Sequence, residues 1–434
     1  MYIKRIVLKN IRGFAHLDFD LTRPGDRYAG WTVFTGDNGS GKTALLKAIA
    51  VGLMGRDTAR SVQPSFLGWM RSGAEDAGSS ILLELVRNEA DDALVESGKR
   101  PSAASFPAKI TISNGGREPS LHAVVPPRKP KNYSTPDRTI WASDAGGWFS
   151  CGYGPFRRMF GESAAAARQM AAPLTARFVT MFQEAASLIE ADSWLRSLKH
   201  KELENKQSER EQLALILEIL RDDLMPNQIT VDRVDSDGLW LKDRNEVQLS
   251  WADMSDGYRS AAALLADIIR HLIGTYGFAG LSEKNADGKT IIKRSGVVLI
   301  DEIDAHLHPA WQREIGFWLV RHFPNIQFLV TSHSPLICQA AGEKGLFVLP
   351  QPASGAVPRQ LDDEEYRKII ASRPDTILLT SAFGLQNTRS PVAVEKRAKL
   401  AKLQAKKRAG GTLTQLELPW YEDNEFYLTA DEEA

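Results

Sequence analysis

The sequence reads Gly36-Asp37-Asn38-Gly39-Ser40-Gly41-Lys42-Thr43 directly after a short run of strand-forming residues, Trp31–Phe34. A glycine, four residues and then Gly-Lys-Thr is the pattern of a phosphate-binding loop, or P-loop. The apolar spacing of the next residues, Thr43–Leu53, predicts a helix whose N-terminus adds positive potential at the loop. Strand, loop and helix in this order predict an α/β fold that binds a nucleotide.

The side chains of this loop indicate how the nucleotide is held. Lys42 is suited to neutralising the β- and γ-phosphates, and the hydroxyl of Thr43 is suited to ligating Mg²⁺. ATP and Mg²⁺ are therefore the predicted cofactors. The backbone N–H groups that cradle the phosphates are expected to come from Asn38, Gly39, Ser40 and Gly41.

A second element ends in two adjacent carboxylates. Val297–Ile300 is a continuous apolar run typical of a buried parallel strand, and Asp301 and Glu302 follow it directly. Ligands of open α/β sheets bind at this carboxyl end of the strands. We expect Asp301 to belong to the Mg²⁺ shell and Glu302 to align or deprotonate the water that attacks the γ-phosphate.

Two further motifs flank these carboxylates. Ser255-Asp256-Gly257 precedes a long amphipathic helix, which places a hydroxyl and free N–H groups at a positive helix end. His333 stands just after the apolar strand Ile326–Thr331. Between them, His306 and His308 are two residues apart, but the lack of further ligands at suitable spacing argues against a metal site there.

In this order the motifs resemble those of ABC-type ATPases, and Ile11-Arg12-Gly13-Phe14 is similar to the opening of their RecF, SMC and OLD branch. The resemblance implies a P-loop ATPase head with a mixed and parallel sheet flanked by helices. It also implies that Arg12 approaches the nucleotide and that His333 is the switch histidine, which contacts the γ-phosphate. Residues 304–309 would be the D-loop, which crosses the dimer interface. Ser255–Gly257 would be the signature, in which Ser255 and Gly257 face the γ-phosphate held by a second protomer. A homodimer around ATP is therefore expected, with larger oligomers left open. No Q-loop glutamine can be assigned.

Two other stretches, Gly152–Arg158 and Ala382–Pro391, are similar to segments of the PtuA-type ATPases of Septu and retron anti-phage systems. This resemblance implies a regulatory ATPase that controls a separate HNH-type nuclease. Residues 334–434 are too few for the long nuclease domain that OLD proteins carry after the switch histidine. Two alternatives stay open: a RecF-like repair ATPase that binds DNA itself, and a scaffold that senses ATP without hydrolysing it.

The composition shifts along the chain predict its organisation. The expected parts are an N-terminal lobe with the P-loop (1–55), an irregular β-rich insertion that returns to the core (56–160), a short helical insertion (161–225), a C-terminal lobe with the signature, carboxylates and switch histidine (226–345), and a helical extension (346–434). The extension holds a basic helix, Val394–Gly410, and then an acidic tail. That helix could be paired with the tail, dock a partner protein or bind nucleic acid.

The overall composition limits the other possibilities. Lys plus Arg and Asp plus Glu are equal at 54 each, so net charge gives no sign of nucleic-acid binding by the whole chain. Cys151 and Cys338 cannot form a disulfide framework. The apolar helix Ala261–Gly274 is interrupted by charged residues, and the start lacks a secretory pattern, so we expect a cytoplasmic protein without a membrane span.

Overall fold

The computed structural model describes residues 1–74, 77–93, 104–124, 135–157, 173–184, 186, 188–225, 228–351 and 354–429. The chain divides into two compact units, one of residues 1–372 and one that begins at Arg373. The basic loop Pro126–Asn132, Arg158, the start of the predicted helical insertion and the end of the acidic tail lie outside the described residues.

The first unit is built around a largely parallel sheet. Strands β13 (Gly296–Ile300) and β14 (Ile326–Ser332) are buried along their whole length, as expected of parallel strands covered on both faces. Helix α7 (Pro309–His322) connects them, so the three elements form a βαβ unit. The strands run in the spatial order β16 (Arg359–Gln360), β15 (Leu346–Val348), β3 (Gly30–Thr35), β14 (Ile326–Ser332), β13 (Gly296–Ile300) and β7 (Ser150–Tyr153). Only β16 pairs antiparallel among these described strands.

An antiparallel sheet forms beside it. The first two strands form a hairpin, with Arg12 at the turn in a left-handed conformation (φ 48°). The range predicted as an irregular β-rich insertion supplies three strands of this sheet. The first of them, with alternating buried residues, pairs with β1 (Tyr2–Ile11), and the other two follow it outward. The spatial order is β2 (Phe14–Asp20), β1 (Tyr2–Ile11), β4 (Ser79–Val86), β5 (Ser105–Ser113) and β6 (Ser120–Val124).

Helix α1 follows the P-loop and spans Lys42–Val62. Gly55, with φ 75° and ψ 176°, is non-helical and divides α1 into two helical segments, the first of which covers the predicted helix Thr43–Leu53. The indole of Trp141 occupies the space where a Cβ of Gly55 would lie, and its N–H donates to the Gly52 carbonyl at 2.9 Å. A side chain distant in sequence therefore packs at the break between the two helical segments.

The rest of the first unit is helical with small sheets. Helices α4 (Ile189–Leu203) and α5 (Gln207–Arg221) pack together, in agreement with a short helical insertion. The other elements are α2 (Pro173–Ala176), α3 (Val179–Phe182), β8 (Thr230–Asp235), β9 (Gly238–Lys242), β10 (Gln248–Ser250), α6 (Asp256–Tyr276), β11 (Ser282–Lys284), β12 (Thr290–Ile292), α8 (Pro335–Cys338) and α9 (Asp363–Ala371).

The second unit holds four helices within its described residues: α10 (Pro374–Leu378), α11 (Pro391–Arg408), α12 (Glu417–Asn424) and α13 (Phe426–Thr429). Its small core contains Leu400, Leu403 and Tyr421.

The basic helix α11 pairs with the segment that follows it. The ammonium of Lys399 lies 3.8 Å from the ring centre of Trp420, and Lys406 forms an ion pair of 2.7 Å with Glu417. The unit also begins later than predicted, because β15 and β16 remain in the core sheet.

Candidate nucleotide-binding site

The P-loop is folded so tightly that two of its glycines cannot be replaced without movement. Gly36 has φ 151°, and a Cβ there would lie 2.2 Å from the carbonyl oxygen of Leu349. Gly41 has φ 95°, and a Cβ there would lie 2.7 Å from the ring of Phe14. Glycine is required at these two positions because it permits both the dihedral angles and the close packing.

Lys42 begins α1 and reaches back over the loop. Its Nζ donates to the carbonyl oxygens of Gly36 at 2.7 Å and Asp37 at 2.9 Å. Burial lowers the pKa of Lys42, and the charges of Glu302 and Asp301 oppose that shift. The structure thus brings the predicted phosphate-binding lysine and the two predicted carboxylates into one electrostatic cluster. Thr43, the next residue, is half-buried in the first turn of the same helix.

Asp301 lies at the end of β13 and is almost fully buried. Its Oδ1 accepts a hydrogen bond of 2.5 Å from the Thr331 hydroxyl, but its buried Oδ2 has no hydrogen-bond partner among the described residues. A buried carboxylate oxygen without a partner is costly in an isolated protein. A hard divalent cation prefers such an oxygen ligand, so the donor set of Asp301 and Thr43 fits Mg²⁺.

Glu302 follows Asp301 in a left-handed conformation, with φ 46°. This region is unfavourable for a residue with a Cβ and costs on the order of 1–3 kcal/mol. The Thr331 hydroxyl oxygen accepts the Glu302 N–H at 2.7 Å, so one threonine on β14 supports both carboxylate residues. The strained turn places Glu302 beyond the strand end, where its side chain is half-buried.

His333 directly follows β14 and is partly buried. Burial lowers the pKa of its imidazole, and the positive charge of Lys42 lowers it further. The ring is therefore neutral near pH 7, and one of its nitrogens can donate a hydrogen bond to an anion without carrying a charge.

A cleft of about 490 Å³ opens beside the P-loop. Three of its lining residues, Gly39, Ser40 and Gly41, belong to the loop, and Arg12 and Phe14 come from the β1–β2 hairpin. The Arg12 guanidinium lies 4.7 Å from the Trp69 ring centre, and burial lowers its pKa. Arg12 therefore lines the cleft beside the P-loop, and its approach to a nucleotide stays a prediction. Asn38 is exposed at the tip of the loop.

The signature segment lies at the start of α6. Ser255 occupies the N-cap position, but its exposed side chain makes no capping hydrogen bond. Gly257 is buried and packs against the D-loop. A Cβ added at Gly257 would lie only 2.4 Å from the carbonyl oxygen of His306. The two segments predicted to face a second protomer are therefore in direct contact within one chain.

Three residues that support the site were given no role in the sequence analysis. Thr331 binds both carboxylate residues, as described above. Gln312 on α7 donates to the Leu307 carbonyl at 2.8 Å and accepts from the Ser334 hydroxyl at 2.6 Å, so it joins the D-loop to the segment after His333. Arg157 lies buried beneath the D-loop. Only Arg157 had any sequence signal, because it falls in the stretch Gly152–Arg158 that matched a family segment.

Comparisons with known proteins agree with this geometry. One model of an AAA domain matches residues 5–121, and a second, described with AbiEii toxins of type IV toxin–antitoxin systems, matches residues 174–339. The chain is 24% identical over 397 residues to the Septu protein PtuA of Bacillus mycoides, which covers 89% of this chain and 45% of that protein. These matches support a P-loop ATPase head in this chain. The parallel and antiparallel sheets flanked by helices confirm the predicted α/β fold class.

Other relatives of the ATPase head carry related names. The retron Ec83 probable ATPase of Escherichia coli is 33% identical over 183 residues, which cover 40% of this chain and 31% of the relative. A PtuA of Bacillus thuringiensis is 33% identical over 146 residues, or 33% of this chain and 34% of the relative. These matches support ATPase activity. The chain spans less than half the length of each of these relatives.

Among solved structures, the head is similar to an SMC head bound to the C-terminal winged-helix domain of ScpA. The TM-score is 0.48 and the sequence identity 12%, with 85% of this chain and 100% of that chain covered. Within the part of the chain that the structure describes, no helix combines the length and apolarity needed to cross a bilayer.

Proposed function

We propose that the ATPase head binds ATP with Mg²⁺, closes on a second copy of itself around the nucleotide, and hydrolyses it. The observation that carries this proposal is the buried Oδ2 of Asp301, which lacks a partner among the described residues beside the P-loop lysine. A carboxylate oxygen left without a hydrogen bond next to a phosphate loop is suited to Mg²⁺ that accompanies a nucleotide.

Each site residue has a role that follows from its position. Lys42 exchanges its bonds to the loop carbonyls for bonds to the β- and γ-phosphates, and Thr43 and Asp301 would hold the Mg²⁺. When bound, the cation neutralises charge on the transferred phosphoryl group. Glu302, set outward by its strained backbone, orients the attacking water. Neutral His333 donates a hydrogen bond to the γ-phosphate.

The second half of the site comes from another copy of the chain. Ser255 lies exposed at the positive N-terminus of a 21-residue helix, where its hydroxyl and the free N–H groups can meet an anion. The contact between Gly257 and His306 means that a partner's nucleotide at the signature would also press on the D-loop. A dimer would therefore form when ATP is present and separate after hydrolysis.

At the level of the cell, we infer that the head serves an anti-phage defence complex and controls a partner nuclease of the HNH type. The support is the similarity to relatives named as Septu and retron ATPases. The expected location is the cytoplasm, where ATP and phage nucleic acid are present. Nucleic acid would be reached through the partner or through the basic helix α11.

The variant Glu302→Gln tests the enzymatic part. It removes the group that orients water but keeps the shape of the side chain, so it should abolish hydrolysis and accumulate an ATP-bound dimer. Glu314→Gln, an exposed change on α7, serves as the matched control and should leave both properties unchanged. Molecular mass measured by light scattering with and without ATP reports the dimer, and Lys42→Ala should prevent it. A Glu302→Gln protein that stays monomeric at saturating ATP would contradict the proposed clamp.

Co-expression with neighbouring genes tests the cellular part. We expect an HNH-type nuclease to co-purify, with a complex mass that changes when ATP is added. If no nuclease co-purifies and the purified head instead binds duplex DNA strongly, in a salt-sensitive manner that stimulates hydrolysis, the RecF-like alternative is correct.

A further inference from the structure

Arg157 is a buried arginine whose guanidinium bonds to a run of main-chain oxygens. It is 4% exposed. Nη1 donates to the carbonyls of Gly154 at 3.0 Å and Asp301 at 2.8 Å. Nη2 donates at 3.0 Å, 3.5 Å and 3.5 Å to the carbonyls of Glu302, Ile303 and Ala305. One planar fork thus spans the main chain from the end of β13 into the D-loop.

Burying a cation in this way is unfavourable unless it is compensated. Burial lowers the pKa of Arg157 to about 10, whereas the charges of Asp301, Asp304 and Glu302 oppose that shift. The guanidinium therefore remains charged at neutral pH. The hydrogen bonds to the carbonyls and the nearby carboxylates together offset the cost of removing the charged guanidinium from water. A neutral side chain of the same shape would not have that cost.

The main chain held by Arg157 is the strained part of the site. Glu302 has φ 46°, and its own carbonyl and that of Asp301 before it both accept from the guanidinium. Left-handed residues persist only where the surroundings over-determine them. Because Arg157 binds the backbone on both sides of Glu302, it fixes the direction of the side chain without touching that side chain.

Arg157 is also tied to the signature helix. The Ser260 hydroxyl, one turn into α6, donates to the Arg157 carbonyl at 3.0 Å, and both groups are buried. The same residue therefore contacts the helix that begins at Ser255 and the turn that carries Glu302. A small displacement of α6 would be passed to that turn through one rigid side chain.

We propose that Arg157 is a positioning residue that holds Glu302 and the D-loop in their working geometry and couples them to the signature helix. This inference rests on the proposed ATPase function. It predicts that the fork of the guanidinium matters as well as its charge, because the three N–H groups of a lysine ammonium cannot serve all five carbonyls that Arg157 contacts.

The test compares Arg157→Lys with Arg23→Lys in the full chain. Arg23 is a matched control: it is also buried, burial lowers its pKa to about 10, and it donates to the Trp31 carbonyl at 2.7 Å and the Thr32 hydroxyl at 2.8 Å. Both variants should lose thermal stability. Only Arg157→Lys should lower kcat, by roughly 10- to 100-fold, with KM for ATP changed less than about threefold, because the turn and not the P-loop is displaced.

Hydrogen exchange supplies a readout that does not depend on activity. In Arg157→Lys, amides of the segment Asp301–His308 should exchange faster, whereas those of α1 should not. If Arg157→Lys folds and keeps wild-type kcat and exchange, the proposal is overturned. If it does not fold, Ser260→Ala replaces it, and an unchanged kcat there has the same meaning. If the wild-type head hydrolyses no more ATP than Glu302→Gln, the proposed function fails. Hydrogen exchange of the Asp301–His308 amides in Arg157→Lys then decides the positioning role by itself.

Discussion

Replacing Gly257 by alanine should disrupt the contact between the signature segment and the D-loop. The new Cβ would lie 2.4 Å from the His306 carbonyl oxygen, whereas ordinary van der Waals contact begins at 3.4 Å. The carbonyl must therefore move by about 1 Å, and overpacking of this kind costs roughly 1–3 kcal/mol of unfolding free energy. A shift of about 1 Å in the D-loop is also enough to lower kcat by on the order of 100-fold.

The same helix offers a control substitution that should raise the unfolding free energy instead of lowering it. Gly274 lies in the last turns of α6, is exposed, and has nothing within 4 Å of the position that a Cβ would occupy. Alanine there removes the backbone freedom of glycine without a clash and should stabilise the head by about 0.5–1 kcal/mol. Intrinsic helix propensity favours alanine at both positions, so the difference between the two variants reports the contact with His306.

Urea unfolding followed by tryptophan fluorescence measures both changes in unfolding free energy. ATP hydrolysis and ATP-dependent mass measured on the same samples show whether the D-loop shift reaches the chemistry. If Gly257→Ala is as stable as Gly274→Ala and retains wild-type kcat, the packing of the signature against the D-loop has been misassigned.

Two other changes probe the interior of the head. Thr331→Val removes the hydroxyl that binds Asp301 Oδ1 and the Glu302 N–H. We expect the unfolding free energy to fall by about 1–3 kcal/mol and kcat to drop at least tenfold. Wild-type turnover in this near-isosteric variant would refute the role of the hydroxyl. Burial lowers the pKa of fully buried His322 next to Asp222, so the folded head resists its protonation. Its stability contribution is therefore present above the ordinary histidine pKa and is lost as the pH falls below it. His322→Gln should flatten the loss of unfolding free energy between about pH 7 and pH 5, and an unchanged pH profile would contradict this assignment.

The local parts of the site were predictable because each is encoded by adjacent residues. The P-loop needs a strand, glycines and a helix in one short stretch, and the carboxylates need only an apolar strand that ends at Asp301. The signature was predictable for the same reason, since Ser255 and Gly257 stand next to a helix start. Dihedral preference and burial act over a few residues in all three cases.

Long-range contacts were not predictable from such patterns. Trp141 packs on Gly55 at the break between the two segments of α1, and β4, which falls in the predicted insertion, pairs with β1 far away in sequence. Arg157 stood in a stretch that matched a family segment, but its contact with the D-loop depends on how β7 lies beside β13. A single sequence does not specify these pairings because many alternatives satisfy the same apolar pattern.

The pairing of β3 also determines when the head can first bind nucleotide during synthesis. In the finished sheet Thr32 lies opposite Leu329 of β14, and Val33 lies opposite Leu346 of β15. At about 5–20 residues per second, a ribosome needs roughly 15–60 s to add the intervening stretch of about 300 residues. During that interval the strand leading into the P-loop lacks both neighbours, and the nascent chain exposes apolar side chains such as Trp31 and Phe34 to chaperones. We therefore expect nucleotide binding only after β14 has been synthesised.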